Sequence, residues 1–261
     1  PNQSPEHRMN NTENRSVQKL LDLDGETVLV TGASGNIGQG IAERLAEAGA
    51  SIVVHYHRNE SAAADLASRL GGATVVQADL ADEAAVDAMY AEARPSMVVN
   101  NAAAQPVRGL EDMGYDEWRA MLAANLDGAF LVTQRAARAW AGSGGVIVNI
   151  ASIEALDPAV GHGHYATSKA GLVMLSRAAA LELGAAGIRI NCVSPGLIDK
   201  QGLADEWPDG VARWHDRAPL GRLGTPKDVA DAVLFLLSPA ARWISGANLV
   251  VDGGMSAQNR W

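Results

Sequence analysis

From Glu26 onward the chain repeats one pattern: a short apolar run, a turn, then apolar side chains at helical spacing. Thr27-Val28-Leu29-Val30 is the first run, and Ile37, Ile41, Leu45 and Ala48 follow it three to four residues apart. Further runs stand at Ser51–Val54, Thr74–Val76, Met97–Val99, Val146–Ile150, Ile188–Val193 and Asn248–Val251. Most of these runs, Ile188-Arg189-Ile190-Asn191 excepted, do not alternate apolar with polar, so they fit strands buried on both faces. Helical spacing fills the gaps over about 37–48, 59–70, from Asp82, 116–140, 163–184 and 226–237. The last of these has Thr225 as N-cap and Pro226 at its first position. Strands alternating with helices this regularly predict an α/β fold: a Rossmann-type, doubly wound parallel sheet with helices on both faces.

Length and composition fit that reading. The 261 residues, 48% hydrophobic and 20% charged, suffice for one large α/β domain. No linker or repeat interrupts residues 23–261, which are expected to form one domain. Residues 1–22, rich in Asn, Gln, Ser and Glu, read as a flexible arm without the apolar core of a secretion signal. A net charge of −9 argues against a nucleic-acid partner. No apolar run approaches the roughly 18 residues that a membrane-spanning helix needs, so no membrane partner is expected. The single cysteine, Cys192, excludes an internal disulfide and reads as a buried strand residue, compatible with a reducing, cytoplasmic setting.

Thr31-Gly32-Ala33-Ser34-Gly35-Asn36-Ile37-Gly38 joins the first strand to the first helix. Glycines there let backbone N–H groups approach a pyrophosphate at the positive end of the helix. The alternative is a purely structural turn. Cofactor choice depends on the end of the second strand, where an acidic residue would accept hydrogen bonds from the ribose of NAD. This chain has His55-Tyr56-His57-Arg58 instead. Arg58 suits a ribose 2′-phosphate, with a protonated His57 assisting, so NADP(H) is preferred and NAD(H) is the alternative. Asp79, closing the third strand, either accepts from the adenine amino group or caps the next helix.

Tyr165 and Lys169 stand four apart, with Ser152 thirteen residues before the tyrosine. On a helix the pair shares one face. A lysine ammonium beside a phenol is expected to lower its pKa from about 10, giving a proton donor usable near neutral pH.

Taken together, the glycine turn, Asn100-Asn101-Ala102-Ala103, Asn125, Ser152, Tyr165 with Lys169, and Ser194-Pro195-Gly196 resemble the short-chain dehydrogenase/reductase family. The likeness spans Asp24 to Met255 and lies in the single-domain, ketoacyl-reductase-like branch. It implies seven strands in the order 3-2-1-4-5-6-7 and hydride transfer between a nicotinamide and a carbonyl or secondary alcohol. It implies Tyr165 as general acid or base, Lys169 as its pKa-lowering neighbour on the nicotinamide ribose, and Ser152 as donor to the substrate oxygen. Asn125 matches the residue that holds a relay water, although a helix-kinking role fits it as well. Asn100 matches a sheet brace. Cofactor contacts carried over are Gly32, Ser34, Asn36, Ile37, Gly38, His57, Arg58, Asp79, Asn101, Ala102, Tyr165, Lys169, Pro195, Gly196 and Ile198.

Three departures stand out. Asn36 occupies the place of the middle glycine, where its tolerance of left-handed backbone is expected to preserve the turn. No basic residue lies within that turn. Lys200 replaces a threonine that commonly contacts the nicotinamide carboxamide. His55-Tyr56-His57-Arg58 also resembles the pteridine reductase branch, but Ser152 stands where that branch has an aspartate.

A small-molecule carbonyl or alcohol is the expected substrate, contacted by Gln105, Glu154, His162 and Trp207, with residues 197–219 as a lid. Trp207 and Trp214 are either apolar substrate walls or subunit contacts. His162 and His164 read as loop residues, and no third ligand suggests a metal. Family members are usually tetramers or dimers, so a homotetramer or homodimer is expected. Ala178, Ala179 and Ala180 offer a small-residue helix face for it. The rival outside enzymology is a nucleotide-binding regulatory protein that does no chemistry.

Overall fold

A computed structural model describes residues 16–257. Seven parallel strands form one sheet in the order β3-β2-β1-β4-β5-β6-β7. They are β1 (Thr27–Val30), β2 (Ser51–Tyr56), β3 (Thr74–Gln77), β4 (Met97–Asn100), β5 (Gly145–Ile150), β6 (Ile188–Pro195) and β7 (Asn248–Val251). Between them run α1 (Asn36–Glu47), α2 (Glu60–Arg69), α3 (Glu83–Ala93), α4 (Tyr115–Leu122), α5 (Gly128–Ala139) and α6 (Gly163–Leu183). After β6 come α7 (Leu203–Glu206), α8 (Pro208–Arg217) and α9 (Pro226–Leu237).

Each strand sends alternate residues to opposite faces, and both faces are covered. Val28 and Val30 of β1 join one core with Ile41, Leu45, Val229 and Val233. Leu29 joins the other with Val86, Met89, Val132 and Ala136. The α1 and α9 helices touch at Gly40, where a Cβ would lie 3.1 Å from the Pro226 carbonyl carbon. Thr225 caps α9 through a reciprocal pair: its hydroxyl accepts from the Asp228 N–H while the Asp228 carboxylate accepts from the Thr225 N–H.

Several boundaries differ from expectation. The 116–140 stretch is helical, but a π-helical turn at Ala123–Asp127 divides it around Asn125. The section after β6, expected to be irregular, holds α7 and α8. Within the expected arm, Val17–Lys19 forms a 3-10 turn and the Leu20 carbonyl accepts from Ala240 N–H at 3.2 Å. Burial of Leu23 behind it anchors this approach to the sheet. The earlier part of that arm lies outside the described residues. No helix among the described residues is long and apolar enough to cross a membrane.

Candidate active site

The carboxyl ends of the strands border a cleft of about 1830 Å³ that takes in both the glycine turn and Tyr165. At one end Gly32 leaves β1 with φ of 61°, in the left-handed region. A Cβ there would stand 2.8 Å from the Ala102 Cα, and one at Gly38 would stand 2.8 Å from the Ala33 Cα. Side chains are thereby excluded, and the N-terminus of α1 stays open to an anion. Ser34, Asn36 and Ile37 line the same floor. Asn36 needs no left-handed conformation: it is the first residue of α1, and Arg94 alone among described non-glycine residues has positive φ. Its amide instead donates to the Asp199 carbonyl at 2.7 Å, joining the turn to the chain beyond β6.

Buried groups brace this end from behind. The β2 strand runs to Tyr56, which places His55 inside it at 1% exposure. The Gly32 N–H donates to its Nδ1 at 2.9 Å, so the ring proton sits on Nε2 and is given to the Ala78 carbonyl at 3.1 Å. Burial pushes the His55 pKa down to about 4, and the ring stays neutral. The Thr31 hydroxyl accepts from Asn101 N–H at 2.9 Å and Ala102 N–H at 3.1 Å. The Asn101 amide returns hydrogen bonds to the Thr31 and Gly32 carbonyls. From sequence His55 and Thr31 were read only as members of their motifs, not as braces. For His55 the available signal was a polar residue interrupting an otherwise apolar strand.

At the outer rim Arg58 is exposed and has no ion-pair partner among the described residues. Half-exposed His57 lies 3.7 Å from Asp79. Asp79 accepts from Ala81 N–H, and it is Asp82 that caps α3. Capping is therefore excluded as the role of Asp79, because the helix starts four residues later.

At the other end of the cleft, one turn of α6 presents Tyr165 and Lys169, both buried, beside Ser152 at the end of β5. The expected lowering of the phenol pKa is absent. Burial pushes Tyr165 up to about 12; a hydrogen bond with Ser152 pulls the other way, and the Glu154 charge adds to the rise. The Lys169 ammonium is spent elsewhere, donating to the Ile150 carbonyl at 2.8 Å and lying 5.7 Å from the tyrosine ring centre. Burial pushes Lys169 itself down to about 8. At neutral pH Tyr165 is thus a protonated donor.

Asn125 sits in the π-helical turn with its amide clamped on the Ala104 backbone, donating to the carbonyl at 2.9 Å and accepting from N–H at 2.8 Å. Its amide also faces the Ser168 hydroxyl at 3.2 Å. This geometry serves the loop after β4. Asn100 likewise bonds Asn149 at 2.8 Å, a brace between β4 and β5.

On the substrate side, Gln105, Glu154, His162 and Trp207 all line the cleft. Glu154 and His162 bond each other, and Gln105 reaches the same carboxylate. His164 parts from His162: it lies in the first turn of α6 at 1% exposure, backing a separate small cavity. Pro195 ends β6, and Gly196 leaves room for α8: a Cβ there would meet the Trp214 ring at 2.8 Å. Ile198 bridges to Gly224, and Lys200 pairs with Glu206 at 2.6 Å at the cleft edge.

Residues 32–256 match the family model described as enoyl-(acyl carrier protein) reductase. The chain is 38% identical to L-rhamnose 1-dehydrogenase (NAD(P)(+)) of Azotobacter vinelandii over 254 residues, 90% of this chain and 98% of that protein. It is 36% identical to a 3-oxoacyl-[acyl-carrier-protein] reductase of Chlamydia muridarum, covering 90% of this chain and 98% of the relative. The crystal structure of gluconate 5-dehydrogenase from Burkholderia cenocepacia, with NADP and tartrate, superposes with a TM-score of 0.86 at 33% identity, covering 94% of this chain and 100% of that one. Strand order, the cradle at the first turn and likeness along nearly the whole chain agree: it belongs to the short-chain dehydrogenase/reductase family of NAD(P)-dependent oxidoreductases, acting on alcohols and ketones.

Proposed function

We propose that residues 23–261 form one catalytic domain that interconverts a carbonyl and a secondary alcohol, preferring NADP(H). The observation that carries the reading is the convergence of Tyr165, Ser152 and Lys169 at one end of a cleft whose other end is a side-chain-free cradle. Excluded side chains at Gly32 and Gly38 fit a dinucleotide, with Ser34, Asn36 and Ile37 flanking its pyrophosphate. Asp79 faces the adenine end; Asn101, Ala102, Pro195, Gly196 and Ile198 border the nicotinamide end. Once bound, the nicotinamide gives or takes the hydride at C4.

The chain's own groups handle the proton. Tyr165, protonated at neutral pH, donates to the carbonyl oxygen in reduction and takes the hydroxyl proton back in oxidation. Ser152 holds that oxygen. Lys169 is poised on the Ile150 carbonyl to support the tyrosine and the ribose. Asn125 keeps the loop at Ala104 in place, from which a relay water is held.

Arg58, without an ion-pair partner among the described residues, supports the NADP(H) preference. The Asp79 carboxylate beside His57 favours NAD(H) as the second reading. Exposed Phe130, Met174, Leu181 and Val250 support self-association as a homotetramer or homodimer. Oxidation of NADPH and NADH, followed separately against a ketone panel, tests the reaction. Loss of turnover in Tyr165→Phe separates it from a non-catalytic nucleotide-binding protein, and light scattering reads the assembly.

A further inference from the structure

The wall of the cleft beside Tyr165 carries a fixed polar cluster. Glu154 and His162 meet across the loop between β5 and α6, with His162 Nδ1 at 2.8 and 3.0 Å from the two carboxylate oxygens. Gln105 donates to the same carboxylate at 3.2 Å, and the Ala159 N–H donates at 3.4 Å. Both side chains of the pair are only 15% exposed. The carboxylate is therefore occupied by protein donors and offers no open seat for a substrate cation.

What the cluster leaves available is His162 Nε2. A carboxylate on Nδ1 keeps the ring proton there, so the neutral ring shows a lone pair at Nε2. The ring meets Tyr165 edge-on, centroids 5.9 Å apart at 67°, and both rings line the cleft. An acceptor of fixed tautomer thus stands one ring away from the phenol. A substrate whose reacting oxygen lies at Tyr165 and Ser152 brings its neighbouring atoms to that acceptor. A hydroxyl on the adjacent carbon donates to it. The thioester carbonyl of a β-ketoacyl substrate would face it acceptor to acceptor, which is unfavourable.

We propose that Glu154 and His162 form a recognition dyad for a hydroxyl on the carbon next to the reacting one, so that the substrates are vicinal diols and the corresponding α-hydroxy ketones. Glu154 acts as the positioning residue and His162 as the contact. The inference rests on the reading of Tyr165 as proton donor given above.

The test is a matched pair of ketones, acetoin and 2-butanone, with acetoacetyl-coenzyme A as the acyl probe. Wild type is expected to reduce acetoin with kcat/KM at least about tenfold above 2-butanone, the worth of one good hydrogen bond. In His162→Ala that ratio should fall by about tenfold. Glu154→Gln, which frees the tautomer, should lower it less, and His162→Gln should restore part of it. The two glutamine variants read the same ratio if the alanine variant does not fold. A wild-type ratio near one, a ratio unaltered in all three variants, or a preference for the thioester overturns the dyad. So does silence toward both ketones while the dinucleotide still quenches tryptophan fluorescence. Absence of dinucleotide binding overturns the underlying reading as well.

Discussion

The two ends of the cleft are built by opposite means. The cradle end is made of main chain and braced by buried groups: Thr31, His55 and Asn101 each hold backbone atoms of the turn or of the strand end beside it. The substrate end is made of side chains from the loop after β4, the loop after β5 and the helices after β6. Main chain held from behind recognises a ligand part that never changes; side chains on loops can be exchanged one by one. The difference teaches where specificity is written. It also predicts that damage at one end stays at that end.

The largest expected effect is at the phenol. Tyr165→Phe should lower kcat by roughly 10³-fold, the contribution of positioned proton transfer, with dinucleotide affinity retained in a fluorescence titration. An equal loss of affinity would break the separation of the two ends. Next, Gly38→Ala puts a methyl against the Ala33 backbone. Overpacking of this kind costs about 1–3 kcal/mol, so dinucleotide affinity should drop roughly ten- to hundredfold, together with a lower Tm.

Acid should loosen the cradle by a comparable amount. Above pH 6.5 His55 is neutral folded or unfolded, and nothing is lost. As pH falls from 6.5 toward 4 the unfolded chain takes up a proton that buried His55 refuses. The folded state then loses up to about 3 kcal/mol from this group. Urea unfolding at pH 7 and pH 4.5 reads the loss, and His55→Gln should flatten it. Arg58→Ala should raise the NADPH-to-NADH ratio of KM values about tenfold, one charge-assisted contact; an unchanged ratio would shift the preference to NAD(H). Smallest, Trp207→Ala on the half-exposed lid should change substrate KM by only about two- to fivefold, read in steady-state kinetics.

The same contrast explains how much could be read in advance. Strand and helix placement followed from apolar runs and helical spacing, because burial on both faces leaves a clear pattern; the strand order came with the family resemblance. Tyr165 and Lys169 were legible as a pair because residues four apart on a helix share a face; Ser152, after β5, was picked out by the family resemblance. The phenol pKa was misjudged because spacing says which side chains are near, not where an ammonium points. Lys169 points at a carbonyl, and burial decides the sign. The bracing roles of His55 and Thr31 escaped notice because their partners are backbone atoms 23 or more residues away. The α7 and α8 helices were hidden by their brevity and by Trp207 and Pro208 at their junction.

Asn36 reaches across 163 positions to grip the carbonyl of Asp199. The grip is on main chain, so it asks nothing of the amino acid found there. A natural lineage or a designer can therefore rewrite the segment from 199 to 219 and keep its root moored to the cradle. The mooring also ties the start of the chain leading to α7 and α8 to the glycine turn, so a transplanted segment would arrive already registered with that turn.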